Sequence, residues 1–301
     1  MCAFRTVAVT GATGLIGSAL VDALAAEGFR VRRLVRTERR RAEDISWDPA
    51  RERIDLSALE GVDAIVHLAG EPIGQRWTAA VRRRIRESRI AGTRLIATSL
   101  ASLARPARVL VSGSAEGIYG NRGDEVLDEG SAIGSDFLAQ LAADWEAEAD
   151  RAAAAGVRVV KIRTGLVLSP RGGALARLLL PFRLGLGGRL GSGRQWVSWI
   201  ALADTVRAIR HLIDEDTFVG PVNLSAPNPV TNAELASTLA KVLRRPAIFP
   251  LPATALRLAF GEMADATLLA SQRMQPRRLL ESGFQFRYPT LESALRFELG
   301  R

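Results

Sequence analysis

Thr10-Gly11-Ala12-Thr13-Gly14-Leu15-Ile16-Gly17 joins a β-branched run, Thr6–Thr10, to an apolar-periodic stretch, Leu15–Ala26. A strand, a three-glycine turn and an amphipathic helix in that order mark the start of a parallel α/β sheet. Gly11 permits the tight turn, Gly14 lets backbone approach a pyrophosphate, and Gly17 lets the helix lie close on the strand. The first N–H groups of that helix have no acceptor of their own and stand at the positive end of its dipole, so phosphates are favoured there. Gly11, Ala12, Thr13, Gly14, Leu15, Ile16 and Gly17 are therefore candidate dinucleotide-binding residues.

Outward from this turn, the first 165 residues alternate short β-branched runs with long helical patterns. Strands are expected at Thr6–Thr10, Arg30–Val35, Ala64–Leu68, Arg108–Ser112 and Val157–Ile162, with a weaker one at Asp44–Trp47. Leu15–Ala26, Ala79–Leu103 and Phe137–Ala155 read as helices. After Pro170 the chain becomes glycine-rich and basic as far as residue 195, too loopy for one uninterrupted element. Helices return at Leu202–Ile213 and Asn232–Leu243, with a strand at Pro221–Leu224 and Thr231 or Asn232 as N-cap. The expected fold class is α/β: a Rossmann-like doubly wound parallel sheet with a smaller C-terminal α+β lobe. Residues 1–169 would form the nucleotide-binding domain, about 197–230 returning to it, and 170–301 the substrate-side lobe.

The second strand selects the cofactor. An acidic residue at its end would hold the ribose 2′-hydroxyl of NAD, but Val31–Thr37 contains none and offers Arg36 instead. A guanidinium there pairs with a 2′-phosphate. The expectation is NADP(H) in preference to NAD(H), with a solvated loop arginine as the alternative reading of Arg36. Leu68, Ala69 and Gly70 are small enough to let a nucleotide pass over the strand end, and Asp48 can meet the adenine edge.

Of 41 lysines and arginines only Lys161 and Lys241 are lysines, and the net charge is +9. Arg39-Arg40-Arg41 and Arg82-Arg83-Arg84 are basic runs without aromatic interleaving, so solvated surface and cofactor phosphates explain the charge better than nucleic acid. No run is long and apolar enough for a membrane helix, and no signal peptide is legible, which points to the cytoplasm. The single cysteine, Cys2, excludes an internal disulfide, and no ligand cluster points to a metal.

Thr10–Gly17, Leu68–Gly70, Ser112-Gly-Ser-Ala-Glu-Gly-Ile-Tyr-Gly120 and Arg163-Thr-Gly-Leu-Val-Leu168 resemble the short-chain dehydrogenase/reductase superfamily, on its extended epimerase/dehydratase side. Gly191–Trp196, Ser198–Ile200, Asn223–Val230, Gly261–Ala264 and Gly283–Phe286 bring the match to the small atypical group of epimerase family proteins. Its tail is a domain of unknown function. The resemblance implies a Tyr-x-x-x-Lys pair, and the chain departs from it. Gly123 stands four after Tyr119, Glu292 four after Tyr288, and Phe137–Ala155 carries neither tyrosine nor lysine. The family also leads one to expect His and Asp where Ala201 and Ala203 stand, leaving Asp204, and Asn where Arg89 stands. Arg89 would anchor an acidic ligand or pair with a nearby carboxylate.

By the same resemblance Ser114 is the serine that bonds a substrate carbonyl or hydroxyl, with Glu116 beside it as a titratable partner. Glu71, Asp136, Asp144 and Glu146 are further candidate acids or bases; His67 reads as a core histidine and His211 as a surface one. At the substrate end, Arg76, Trp77, Arg194, Gln195 and Trp196 can stack and rim a small flat or sugar-like molecule, or can simply pack the lobes together. Two functions stay open: an NADP(H)-dependent oxidoreductase or epimerase-like enzyme with a non-standard proton-transfer site, or a catalytically silent NADP(H)-responsive binding protein. Substrate and oligomeric state are not legible.

Overall fold

The computed structural model describes residues 6–36 and 41–301; Cys2, Arg39 and Arg40 lie outside the described residues. Eight strands form one sheet: Thr6–Thr10 (β1), Arg30–Val35 (β2), Ile45–Asp48 (β3), Arg53–Ile54 (β4), Ala64–His67 (β5), Val109–Ala115 (β6), Arg158–Thr164 (β7) and Gly220–Leu224 (β8). Their order is β8-β7-β6-β5-β1-β2-β3-β4. All neighbours are parallel except the last, where Trp47 faces Ile54 in an antiparallel hairpin. The chain runs outward one way from β1 and the other way from β5. The crevice beyond the carboxyl ends of these two strands is where such sheets take ligands.

The period-two pattern explains the double winding. Val7, Val9, Val66 and Val111 turn to one face, against Leu20 and Leu24 of helix Leu15–Ala26 and Ile209 and Leu212 of helix Leu202–Asp214. Ala8, Ile65, Leu110 and Val159 turn to the other, against Leu95, Ile96 and Leu100 of helix Ala79–Ala101. Each such valine or leucine contributes roughly 1.5–3 kcal/mol by burial, so a one-residue slip in register would forfeit both faces. A third core, with Leu175, Leu179, Trp199, Leu239 and Leu295, holds the C-terminal lobe.

Two differences from the sequence reading matter. The glycine-rich stretch contains an eleven-residue helix, Gly173–Arg183, despite Pro181. Its buried face of Leu175, Leu179 and Phe182 supplies the packing that outweighs poor local propensity. Strand β6 runs on to Ala115, because β7 beside it reaches equally far and pairs Ser114 with Arg163. Helix Asn232–Leu243 begins as its sequence suggests: Thr231 Oγ1 accepts from the Glu234 N–H at 3.2 Å and the Thr231 N–H donates to Glu234 at 2.7 Å. Among the described residues no helix is long and apolar enough to cross a membrane.

Candidate functional site

The crevice between β1 and β5 is closed by one side chain. Thr10 Oγ1 accepts from the N–H groups of Leu68 at 2.9 Å and Ala69 at 3.1 Å, and lies 2.8 Å from His67 Nδ1. With both lone pairs spent, the threonine proton goes to Nδ1, so His67 carries its own proton on Nε2. Burial lowers the His67 pKa to about 4, and the ring stays neutral. It is a core residue, as its apolar strand suggests, with Nε2 left without an acceptor among the described residues.

Above this tie sits the glycine turn. Gly11 has φ +63°, and a Cβ there would stand 2.9 Å from the Leu68 carbonyl. At Gly17 a Cβ would fall 2.2 Å from the Gly11 oxygen, an impossible contact. These glycines bring the helix and the end of β5 against the turn, while the N-cap, Gly14, offers no side-chain acceptor to the first turn. The cradle therefore fits a pyrophosphate on two counts, free N–H donors and no side chain in the way. Ala12 is buried in the turn, Thr13 is exposed, Ile16 packs on the first core, and a Cβ at Gly172 or Gly173 of the lobe would meet the Leu15 side chain.

Gly70 lies over Arg89: a Cβ at Gly70 would meet the guanidinium carbon at 3.2 Å. Among the described residues Arg89 forms no ion pair with a carboxylate. It donates to the carbonyls of Glu71 at 3.0 Å and Ile85 at 3.2 Å and lies 5.1 Å from the Trp145 ring centre. Burial lowers its pKa to about 10, with Glu71 opposing the shift. Arg36 is exposed at the end of β2 and shares the wall of a cavity of about 820 Å³ with Trp47, Asp48, Arg51 and Thr98. Asp48 accepts from the Ala50 and Arg51 N–H groups.

At the carboxyl ends of β6 and β7 lies a buried polar chain. Ser114 donates to Glu146 at 2.7 Å, and Arg163 grips Glu146 through Nε at 2.8 Å and a terminal nitrogen at 3.0 Å. Arg163 also donates to the Tyr119 hydroxyl at 3.0 Å, which donates to Asn223 Oδ1 at 2.6 Å. Burial works against the Arg163 charge, but the Glu146 carboxylate outweighs it and raises its pKa. Burial likewise raises that of Tyr119. Arg163 and Asn223 head stretches that carry the resemblance, but the sequence reading assigns neither a role in the site; an arginine closing an otherwise apolar buried strand was the available signal.

Glu116 follows Ser114 by two residues and has no such partner. Part of its side chain reaches the surface, yet Oε2 is enclosed, faces Gly165, and has no donor among the described residues. Burial pushes its pKa up to about 8. The other candidate acids are occupied: Asp136 caps its helix through the Ala139 N–H, Asp144 pairs with Arg86, and Glu71 lies near Arg84. Lys161 pairs with Asp150. Asp204 accepts from the Arg287 and Tyr288 N–H groups, fixing the C-terminal segment. His211 is half-buried rather than on the surface, with Nε2 at 3.1 Å from Ser282 Oγ and its ring against Phe218 and Phe284.

Apart from Arg194, the substrate-end residues each have partners of their own. Arg76 donates to the Leu258 carbonyl at 2.7 Å, across to the C-terminal lobe, while Trp77 donates to Ile73 and packs edge-on to Phe137. Gln195 is buried and spends its amide on the Leu190 and Leu268 carbonyls. Arg194 is exposed; Trp196 donates to Asp124 at 2.8 Å and lies under Arg273.

Residues 7–224 match the NAD dependent epimerase/dehydratase family, and residues 251–298 match a domain of unknown function, DUF1731. The chain is 45% identical over 296 residues to the epimerase family protein Mb2239 of Mycobacterium bovis, covering 98% of each chain. It is 38% identical to human epimerase family protein SDR39U1 over 96% of this chain and 98% of that one. The crystal structure of that human protein, isoform 2 with NADPH, superposes with a TM-score of 0.90 at 34% identity, covering 99% of this chain and all of that one. A nucleoside-diphosphate sugar epimerase from Corynebacterium glutamicum superposes with a TM-score of 0.82 at 38% identity, over 99% of this chain and 59% of that one.

Proposed function

The chain belongs to the NAD dependent epimerase/dehydratase family, and from that premise we propose that it is an NADP(H)-dependent oxidoreductase that reduces the carbonyl group of a small molecule. The cofactor would be held by Gly11–Gly17, Leu68–Gly70 and Arg36, and when bound there it supplies the hydride. Arg36 in place of a carboxylate favours the 2′-phosphate form.

One observation carries the reading: Glu116 Oε2 is enclosed with no donor among the described residues, and burial pushes the carboxyl pKa up to about 8, which favours its protonated form at neutral pH. A carbonyl oxygen that becomes a hydroxyl needs one proton, and Glu116 can donate it where a tyrosine would do so elsewhere in the superfamily. Ser114, whose own proton is committed to Glu146, accepts a hydrogen bond from the hydroxyl that forms. A second reading, a silent NADP(H)-responsive binding protein, is favoured by the closed chain from Ser114 to Asn223, in which every donor already has an acceptor.

The test is consumption of NADPH by the purified protein across aldehydes and ketones. Turnover should fall above about pH 8, and Glu116→Gln should lower it by about a hundredfold or more while NADPH still binds. An undiminished rate in that variant removes Glu116 from the mechanism. Tight NADPH binding without turnover on any carbonyl leaves the binding protein.

A further inference from the structure

Arg273 is half-buried, its Nε is enclosed, and among the described residues no carboxylate or carbonyl accepts from it. Every other described arginine of comparable shielding donates to an oxygen, as Arg33 does to Asp44, Arg158 to the carbonyls of Leu212, Ile213 and Phe218, and Arg163 to Glu146. An enclosed N–H with no acceptor is costly, and an anion that accepts from Nε while its other oxygens meet the more open end of the guanidinium removes that cost.

The group is also held in place. Its charged carbon lies 4.2 Å from the Trp196 ring centre. Trp196 is itself fixed, donating through Nε1 to Asp124 at 2.8 Å and through its backbone N–H to Ser271 Oγ at 3.0 Å. Asp124 is the neighbouring acid, and it forms no ion pair with Arg273. The short strand Arg273–Met274 pairs with Val126–Leu127 and buries Met274 beside Tyr119, so alternation turns Arg273 the other way. Ser198 Oγ donates to the Gln272 carbonyl at 2.7 Å and accepts from the Met274 N–H at 2.8 Å, bracketing Arg273. A Cβ at Gly165 would meet the Ser198 carbonyl oxygen at 2.6 Å and Glu116 Oε2 at 3.4 Å.

We propose that Arg273, stacked on Trp196, is an anion-binding subsite, and that the substrate carries a carboxylate or phosphate group seated there. Planar, paired N–H donors match either group. The identification of the anion as part of the substrate rests on the proposed reductase activity; the anion binding itself does not.

The experiment is calorimetry on protein saturated with NADPH, so that the cradle on the first helix is already filled. The NADPH-loaded protein is titrated with inorganic phosphate and, separately, with malonate at constant ionic strength. At least one should bind saturably, and which one separates a phosphate-bearing from a carboxylate-bearing ligand. Arg273→Gln should weaken that binding by about tenfold or more, and Arg273→Lys by less, with NADPH uptake unchanged. Absence of saturable binding of both anions, or wild-type affinity in Arg273→Gln, overturns the subsite. If Arg273→Gln fails to take up NADPH, Arg273→Lys carries the comparison, and undiminished anion affinity there overturns it equally. Failure of the wild-type protein to bind NADPH counts against the reductase instead.

Discussion

Ser114 donates its only hydroxyl proton to Glu146 across 2.7 Å, and Glu146 is held through both oxygens by Arg163. Toward a ligand, Ser114 therefore presents lone pairs. The helix that would carry Tyr and Lys contributes a carboxylate instead, and the positive charge comes from the neighbouring strand. In the proposed reaction two tasks that a tyrosine would combine fall to separate groups: Ser114 would orient a hydroxyl, and Glu116 would hold the proton. Ser114→Ala should lower turnover by about tenfold while leaving NADPH affinity unchanged, because one oriented hydrogen bond is lost without touching the cradle. An unchanged rate takes Ser114 out of the site.

The same ion pair should matter to stability. Arg163 and Glu146 are both almost wholly buried. Removing one partner strands a charge away from water, which typically costs about 3–5 kcal/mol. Glu146→Ala should therefore shift the urea midpoint sharply downward. Replacing both residues by apolar ones of similar volume should cost much less. If the single and double variants unfold alike, the pair contributes nothing beyond its volume.

Glu116 gives stability a pH dependence of known sign. Its folded pKa of about 8 lies above the ordinary value of 4.5, so the folded protein binds the proton more tightly than the unfolded chain. Its contribution is then fully present below about pH 4.5 and is lost as the pH rises through about 8. Urea unfolding at successive pH values should show wild-type stability falling across this window relative to Glu116→Gln, and the difference should level off above it. A difference that is constant across the window would show that Glu116 is not held neutral.

Thr10 joins the two halves of the sheet at the point where the strand order turns. Thr10→Val keeps the volume but deprives the Leu68 and Ala69 N–H groups and His67 Nδ1 of their partner. The expected loss is about 1–3 kcal/mol for each N–H left unpaired. NADPH affinity should fall with it, since the same atoms position Leu68–Gly70. Wild-type stability and affinity together would show that the tie is dispensable.

Local signals made much of this legible. Helix Leu15–Ala26 follows from apolar periodicity after the glycine turn, helix Asn232–Leu243 from periodicity and its Thr231 cap, and the parallel sheet from the β-branched runs. Helix Gly173–Arg183 did not show, because its stability comes from the lobe core rather than from its glycine-rich sequence. The polar chain was hidden for a different reason. Tyr119 and Asn223 are 104 residues apart, and although the strand at Pro221–Leu224 and the return of 197–230 to the first domain are expected from the sequence, nothing in either neighbourhood says that these two side chains will meet. Ser114 and Glu116 were visible as residue types, but the commitment of one proton and the isolation of the other depend on burial that only the packed sheet creates.

Arg36 sets the last expectation. It is exposed at the end of β2, and among the described residues no carboxylate pairs with it. An exposed, unpaired guanidinium gains little from solvent-screened neighbours but gains charge-assisted hydrogen bonds from a phosphate placed against it. NADPH carries that phosphate on the adenine ribose and NADH does not. The wild-type protein should therefore bind NADPH more tightly than NADH by about tenfold or more, the difference shrinking as salt is raised. Arg36→Ala should erase most of the preference by weakening NADPH alone, leaving NADH affinity where it was. Equal affinities for the two coenzymes in the wild-type protein, measured by calorimetry at low salt, would mean that the end of β2 does not read the 2′ position at all.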